Sequence, residues 1–143
     1  MNETNANIIL CDFAQVAEGK LTIVGGGWNE IHVLGHPISV AALIEVPWSA
    51  QGRSYEVLLE LLDEDGYPVM NEELGVPVRV DALIEINEGD TTPERMGVSV
   101  NVPFACMFPP LPLTRGRRYV WQLSVDGTSN PGWRAAFLVN RDA

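Results

Sequence analysis

Ile38-Ser39-Val40-Ala41-Ala42-Leu43-Ile44-Glu45-Val46 is the clearest alternation in the chain, and its reading decides the fold class. Successive strand side chains point to opposite faces, so Ile38, Val40, Ala42, Ile44 and Val46 share one side, and Ser39, Ala41, Leu43 and Glu45 the other. The spacing predicts a half-buried strand. Pro47 has no N–H with which to continue a ladder, which ends the strand and leaves Trp48 at the edge of the core.

The same period recurs outward from this stretch. Downstream, Tyr55, Val57, Leu59 and Leu61 alternate with Glu56, Leu58, Glu60 and Leu62. Val76, Val78, Val80, Ala82, Ile84 and Ile86 line one face of a long strand, and Val98, Val100, Val102 and Phe104 follow after a polar loop over residues 87–96 that contains Gly89-Asp90. Pro103 marks an edge or an ending. Tyr119, Trp121, Leu123 and Val125 alternate next, and a last strand runs over residues 133–139. Upstream, residues 8–14 read as a strand with Ile9, Cys11 and Phe13 on one face. A short loop over residues 16–20 turns the chain back into residues 21–24. Gly25-Gly26-Gly27 then allows a bulge or sharp bend that re-aims Trp28. Asp63-Glu64-Asp65-Gly66 and Asp126-Gly127 are turn signals, and Pro109, Pro110 and Pro112 make an extended connector.

No segment has a helical period. The pattern predicts an all-β chain: a single antiparallel β-sandwich, immunoglobulin-like or C2-like, with about 8–10 strands and minimal helix. One domain over residues 1–143 is expected, with residues 1–6 as a flexible N-terminal tail.

Charge and composition narrow the classes of function. Nineteen acidic residues against nine Lys and Arg give a net charge of -10, which repels a nucleic-acid backbone over most of the surface. No nucleic-acid partner is expected. No run approaches the ~20 apolar residues of a membrane span, and the polar opening is not a signal peptide, so a cytoplasmic protein without membrane contact is the expectation. Cys11 and Cys106 flank apolar residues without a sign of an oxidising compartment, and read as buried free thiols. Asn2-Glu3-Thr4 matches the N-glycosylation pattern, which has meaning only in a secreted chain.

Ile8-Ile9-Leu10-Cys11-Asp12, Ala14-Gln15, Gly19-Lys20-Leu21 and Gly25-Gly26-Gly27-Trp28 at the front resemble a family of small bacterial all-β proteins, a domain of unknown function. Leu111-Pro112-Leu113, Arg118-Tyr119-Val120-Trp121 and Ser124-Val125-Asp126-Gly127 are similar to its closing hairpin. The resemblance covers most of the chain. It implies a β-sandwich and transfers no catalytic residue to any position.

The candidate sites are therefore read from residue chemistry. Trp28 and Trp48 stand at breaks in the strands, where flat aromatics can meet a sugar or another small ligand. Trp121 and Trp133 fall in phase with core positions. Arg115, Arg117 and Arg118 form the one basic cluster and can pair with carboxylates of a neighbouring loop or chain. Asp63 and Asp65, with Glu64, Glu72 and Glu73 nearby, are weak calcium candidates on an acidic tip, without the ordered spacing of an EF-hand. His32 and His36 would align on a helix but not in extended chain, so no metal site is expected there. No Gly-x-Ser-x-Gly occurs and neither cysteine has a histidine near it in sequence, so no catalytic residue and no cofactor are assigned. The leading expectation is a non-catalytic protein-interaction or structural module that binds a protein partner or a second copy of itself. Leu43, Leu58 and Leu62 motivate it, being apolar where a one-sided sheet places polar residues. Recognition of a small ligand or carbohydrate by loop aromatics is the alternative, and a loop-borne hydrolase the third reading.

Overall fold

The computed structural model describes residues 4–87 and 93–143. The loop signal Gly89-Asp90 and residues 2–3 of the glycosylation pattern lie outside them. The chain is predominantly β, with three one-turn 3-10 segments and no α-helix among the described residues.

The first sheet holds β1 (Asn5–Ala17), β2 (Lys20–Gly26), β4 (Ile38–Val46) and β9 (Val100–Phe108), in the order β2-β1-β4-β9. The second holds β3 (Glu30–Ile31), β5 (Ser54–Asp63), β8 (Arg79–Glu85), β10 (Arg118–Val125) and β11 (Arg134–Val139), in the order β3-β11-β10-β5-β8. A small hairpin pairs β6 (Met70–Asn71) with β7 (Val76–Pro77). Every pairing is antiparallel except β11 with β3, where Leu138 faces Glu30 and Val139 faces Ile31.

Both sheets turn their apolar faces to one core. Ile38, Val40, Ala42, Ile44 and Val46 are all buried, as the alternation requires. Across from them lie Tyr55, Val57, Leu59 and Leu61 of β5, and Tyr119, Trp121, Leu123 and Val125 of β10. Phe108 of β9 meets Trp121 of β10 with ring centroids 4.5 Å apart, a contact that ties one sheet directly to the other. Pro103 sits in the middle of β9, which is an edge strand, so the missing N–H is tolerated without ending the strand.

Three expectations are corrected. Residues 5 and 6 belong to β1 and not to a flexible tail, because Asn5 and Ala6 already pair with Glu45 and Ile44, and Ala6 is buried. The first hairpin turns in two residues, Glu18 and Gly19, both at positive φ, instead of through a longer loop. That is the turn whose twist matches a tight hairpin.

The third correction concerns β1. Cys11 is buried and Phe13 is exposed, although strict alternation would place them together. Cys11 and Ala14, three apart, join Ala41 in a second small cluster, covered by Leu21 and Ile23 and bordered by Ala105. The pleat therefore slips at Asp12 and Phe13, and the tip of the β1–β2 hairpin bends over the outer face of β4 and β9. Gly25 permits the bend: its φ is +62°, and the place a Cβ would take is filled by the Asp12 carboxylate.

Cys11 lies on the outer face of the first sheet, and Cys106, opposite Val40, on its inner face. Both are free.

Candidate functional site

The bend decides where the chain goes next. Gly27, at φ +93°, donates its N–H to the Leu10 carbonyl at 2.8 Å, which anchors the glycine run to β1 while the chain leaves the first sheet. Trp28 follows and packs edge-on against Phe137 of β11, with centroids 6.1 Å apart. Glu30 and Ile31 then pair with β11, and residues 32–37 return the chain to the start of β4.

A cleft of about 650 Å³ opens at this crossing. Its apolar walls are Trp28, Ile31, Val33, Ile38 and Met107, and its polar groups are Asp12, Glu30, His32 and His36. Glu30 is held in place: Oε2 accepts from Asn140 Nδ2 at 2.8 Å and lies 3.4 Å from His32 Nδ1. The Trp28 indole N–H is buried with no partner in the protein. Concave walls that are mostly apolar, with a few converging polar groups, are the usual build of a small-molecule site, and this volume lies within the usual range.

The structure brings Trp28 into this cleft together with both histidines, which line it through the crossing and not through a helical spacing. The other named residues go elsewhere. Trp48 is half-buried in the 3-10 turn Trp48–Ala50, at the far end of β4 from Ile38. Arg115 donates from Nε to the Ala143 carbonyl. Arg117 pairs with Glu64 at 3.5 Å, and Arg118 opens β10 opposite Leu138. The basic cluster and the acidic tip thus meet at one exposed pair, Arg117 with Glu64, of small energetic weight.

Asp63 is committed to its own turn. Its Oδ1 accepts from the N–H groups of Asp65 and Tyr67, each at 2.9 Å, which satisfies the backbone of the turn and fixes the carboxylate in it. Among the described residues no group of three or more His, Cys, Asp or Glu is placed to hold a metal ion.

Sequence reasoning missed Asp12, Glu30 and Met107 as cleft residues. The signal for Asp12 was present in the glycine run, since a bend there must reposition the residue beside it. Nothing local marks Met107, which enters from the end of β9.

Neither thiol lines the cleft. Burial pushes the Cys11 thiol above its ordinary value, with the Asp12 charge adding to the rise, and burial alone does the same at Cys106. Cys11 points its sulfur at the Ser39 carbonyl, 3.6 Å away. Cys11 is an enclosed packing group, whereas Cys106 is half-buried and not the buried thiol that the sequence suggests.

A second concavity of about 770 Å³ crosses the outer face of the second sheet. Leu58 and Leu83 lie in it among Glu56, Glu60 and Asp81. Leu58 and Leu62 are half-buried, Leu62 beneath the bridge it forms with Pro68, and Leu43 is half-buried on the first sheet. Leu83, exposed at 61%, is the apolar residue of this face most open to solvent.

Fold and cleft define an all-β protein that carries an aromatic-walled concavity where the chain crosses from one sheet to the other. The chain belongs to a family of unknown function, DUF6941, which matches residues 7–139. No curated protein and no solved structure matches the chain. No helix among the described residues is long and apolar enough to cross a membrane.

Proposed function

We propose that the chain is a non-catalytic binding module on a β-sandwich scaffold, and that the Trp28 cleft is its ligand site. The observation that carries this reading is the meeting of Trp28, Asp12, Glu30, His32 and His36 around one apolar concavity. The ligand that fits is a small molecule with one flat apolar face for Trp28 and several hydroxyl or amine donors for the carboxylates and imidazoles. A sugar or an amine-bearing metabolite has that chemistry. The non-catalytic reading is supported by the state of the thiols, which are protonated and outside the cleft.

Tryptophan fluorescence titrated with a panel of mono- and disaccharides and small amines tests it. A member of the panel should shift the emission of the wild-type chain and leave Trp28→Leu unmoved. An unchanged spectrum across the panel overturns the proposal.

A protein partner is the second reading, favoured by the outer face of the second sheet. Leu58 and Leu83 framed by Glu56, Glu60 and Asp81 suit a partner segment that sets a basic residue on each side of an apolar one. Calorimetry with a Lys-Leu-Lys type peptide should give binding that Leu83→Lys abolishes. Heat no larger than dilution at low salt removes this reading.

A further inference from the structure

The two main sheets have four edges, and they are not defended alike. An exposed edge offers unpaired N–H and C=O groups to any other strand, and proteins guard it with charge, bends, cover or shortness. The edge strand β8 carries Arg79, Asp81 and Glu85, with Arg79 and Asp81 paired at 3.3 Å. The edge strand β2 opens on Lys20 and ends in the glycine bend, and β3 is two residues long. The ninth strand differs. Its nine residues, Val100-Asn101-Val102-Pro103-Phe104-Ala105-Cys106-Met107-Phe108, include no charge, and among the described residues only β4 pairs with it.

The inner side of β9 is incompletely covered as well. Val102, Phe104 and Cys106 face the core yet remain only half-buried, whereas Val40, Ala42 and Ile44 beside them on β4 are enclosed. A further strand laid along β9 would close that side.

We propose that β9 is the seam of a homodimer, in which a second copy of this chain pairs its own β9 antiparallel to the first across a two-fold axis. A copy of itself fits better than a charged partner, because β9 offers no charge for such a partner to pair with and meets another β9 without a single charge on either side, so the net charge of -10 is not concentrated at the seam. Pro103 sets the alignment. A proline is accommodated where its nitrogen faces away from the existing ladder, so the nitrogens of Pro103, Ala105 and Met107 all face outward. With Ala105 opposite its symmetry mate, the two Ala105 residues exchange N–H···O bonds, and each Met107 N–H reaches the Pro103 carbonyl of the other copy. The missing donor of Pro103 then costs one bond per copy and does not interrupt the ladder. Phe104 comes opposite Cys106 on the inner side, where each covers the other's half-open core. The first sheets of the two copies join into one continuous sheet.

Sedimentation equilibrium of the full chain from ~1 µM to ~1 mM tests this. The expected result is a mass that rises toward twice the chain mass. Ala105→Pro removes an outward donor that β4 does not use, so it should weaken association by ~10-fold or more while far-UV circular dichroism stays that of the wild type. Met107→Glu, at an exposed position, places a negative charge on each side of the seam and should weaken association equally if the proline variant does not fold. Lys20→Ala, on the guarded edge β2, should leave the mass unchanged. A chain that stays monomeric over the whole range overturns the proposal. So does association that persists in a folded Ala105→Pro, or in Met107→Glu where the proline variant misfolds.

Discussion

The two sheets follow the same rule with different strictness. In the second, β5 and β10 alternate without a slip: Tyr55, Val57, Leu59 and Leu61 go in, as do Tyr119, Trp121, Leu123 and Val125, and the result is an unbroken wall of the core. In the first, β1 breaks step at Asp12 and Phe13, and the consequence is a bent hairpin, a chain that changes sheets and a cleft. Regular alternation builds surface area for burial. Its interruption builds concavity, because only where the pleat slips can a side chain such as Trp28 leave the plane of its strand.

The contrast can be broken first at the regular side. Trp121 is fully buried and touches Phe108 across the core, so Trp121→Ala should lose ~3–5 kcal/mol of stability through lost contacts and the cavity left behind. Urea denaturation would measure it, and a loss under ~1 kcal/mol would mean that the two sheets are not joined through this residue. At the interrupted side, Gly25→Ala meets both a positive φ and the Asp12 carboxylate. It should cost ~1–2 kcal/mol and push Asp12 out of its place at the cleft. Gly27→Ala, with open space around it, should cost backbone strain alone and leave Asp12 where it is. Equal costs and equal ligand binding in the two variants would show that the bend does not depend on the Gly25 contact.

The smallest effect concerns the slope of stability with pH. A thiol raised in the folded chain keeps its proton more firmly there than in the unfolded chain. Its contribution is therefore complete below a free thiol's ~8.5 and is lost as pH rises through the higher folded value. Melting temperature should decline above that pH in the wild type, and less steeply in a Cys11→Ala chain. Parallel slopes in the two would place the titration at other groups.

Most of the fold was legible because burial on a sheet has a period of two, and the residues that violate it are few. Pro103 announced an edge, Trp121 and Trp133 announced the core, and the glycine run announced a bend. The sequence did not show which way the bend turns. That depends on Leu21 and Ile23 finding Cys11, Ala14 and Ala41, a set of contacts between residues on three strands. The cleft was legible in part for a similar reason. Trp28 stands at a visible break, but Glu30 takes its position from Asn140 and Met107 arrives from β9, partners far away along the chain. Asp63 read as a loose ligand because its acceptor role toward Asp65 and Tyr67 is local geometry that composition does not display. The exposed Leu83 was hidden by its place in a strand counted by its inward residues.

The parallel pairing of β3 with β11 has a consequence for how the molecule is made. Glu30 and Ile31 are synthesised early, yet the backbone they dock against, Leu138 and Val139, leaves the ribosome more than a hundred residues later. Until then Trp28 has no Phe137 to lean on and Glu30 no Asn140 to hold it. Closing so long a loop comes late in folding. The cleft is thus left unfinished in every nascent chain until the final strand has docked.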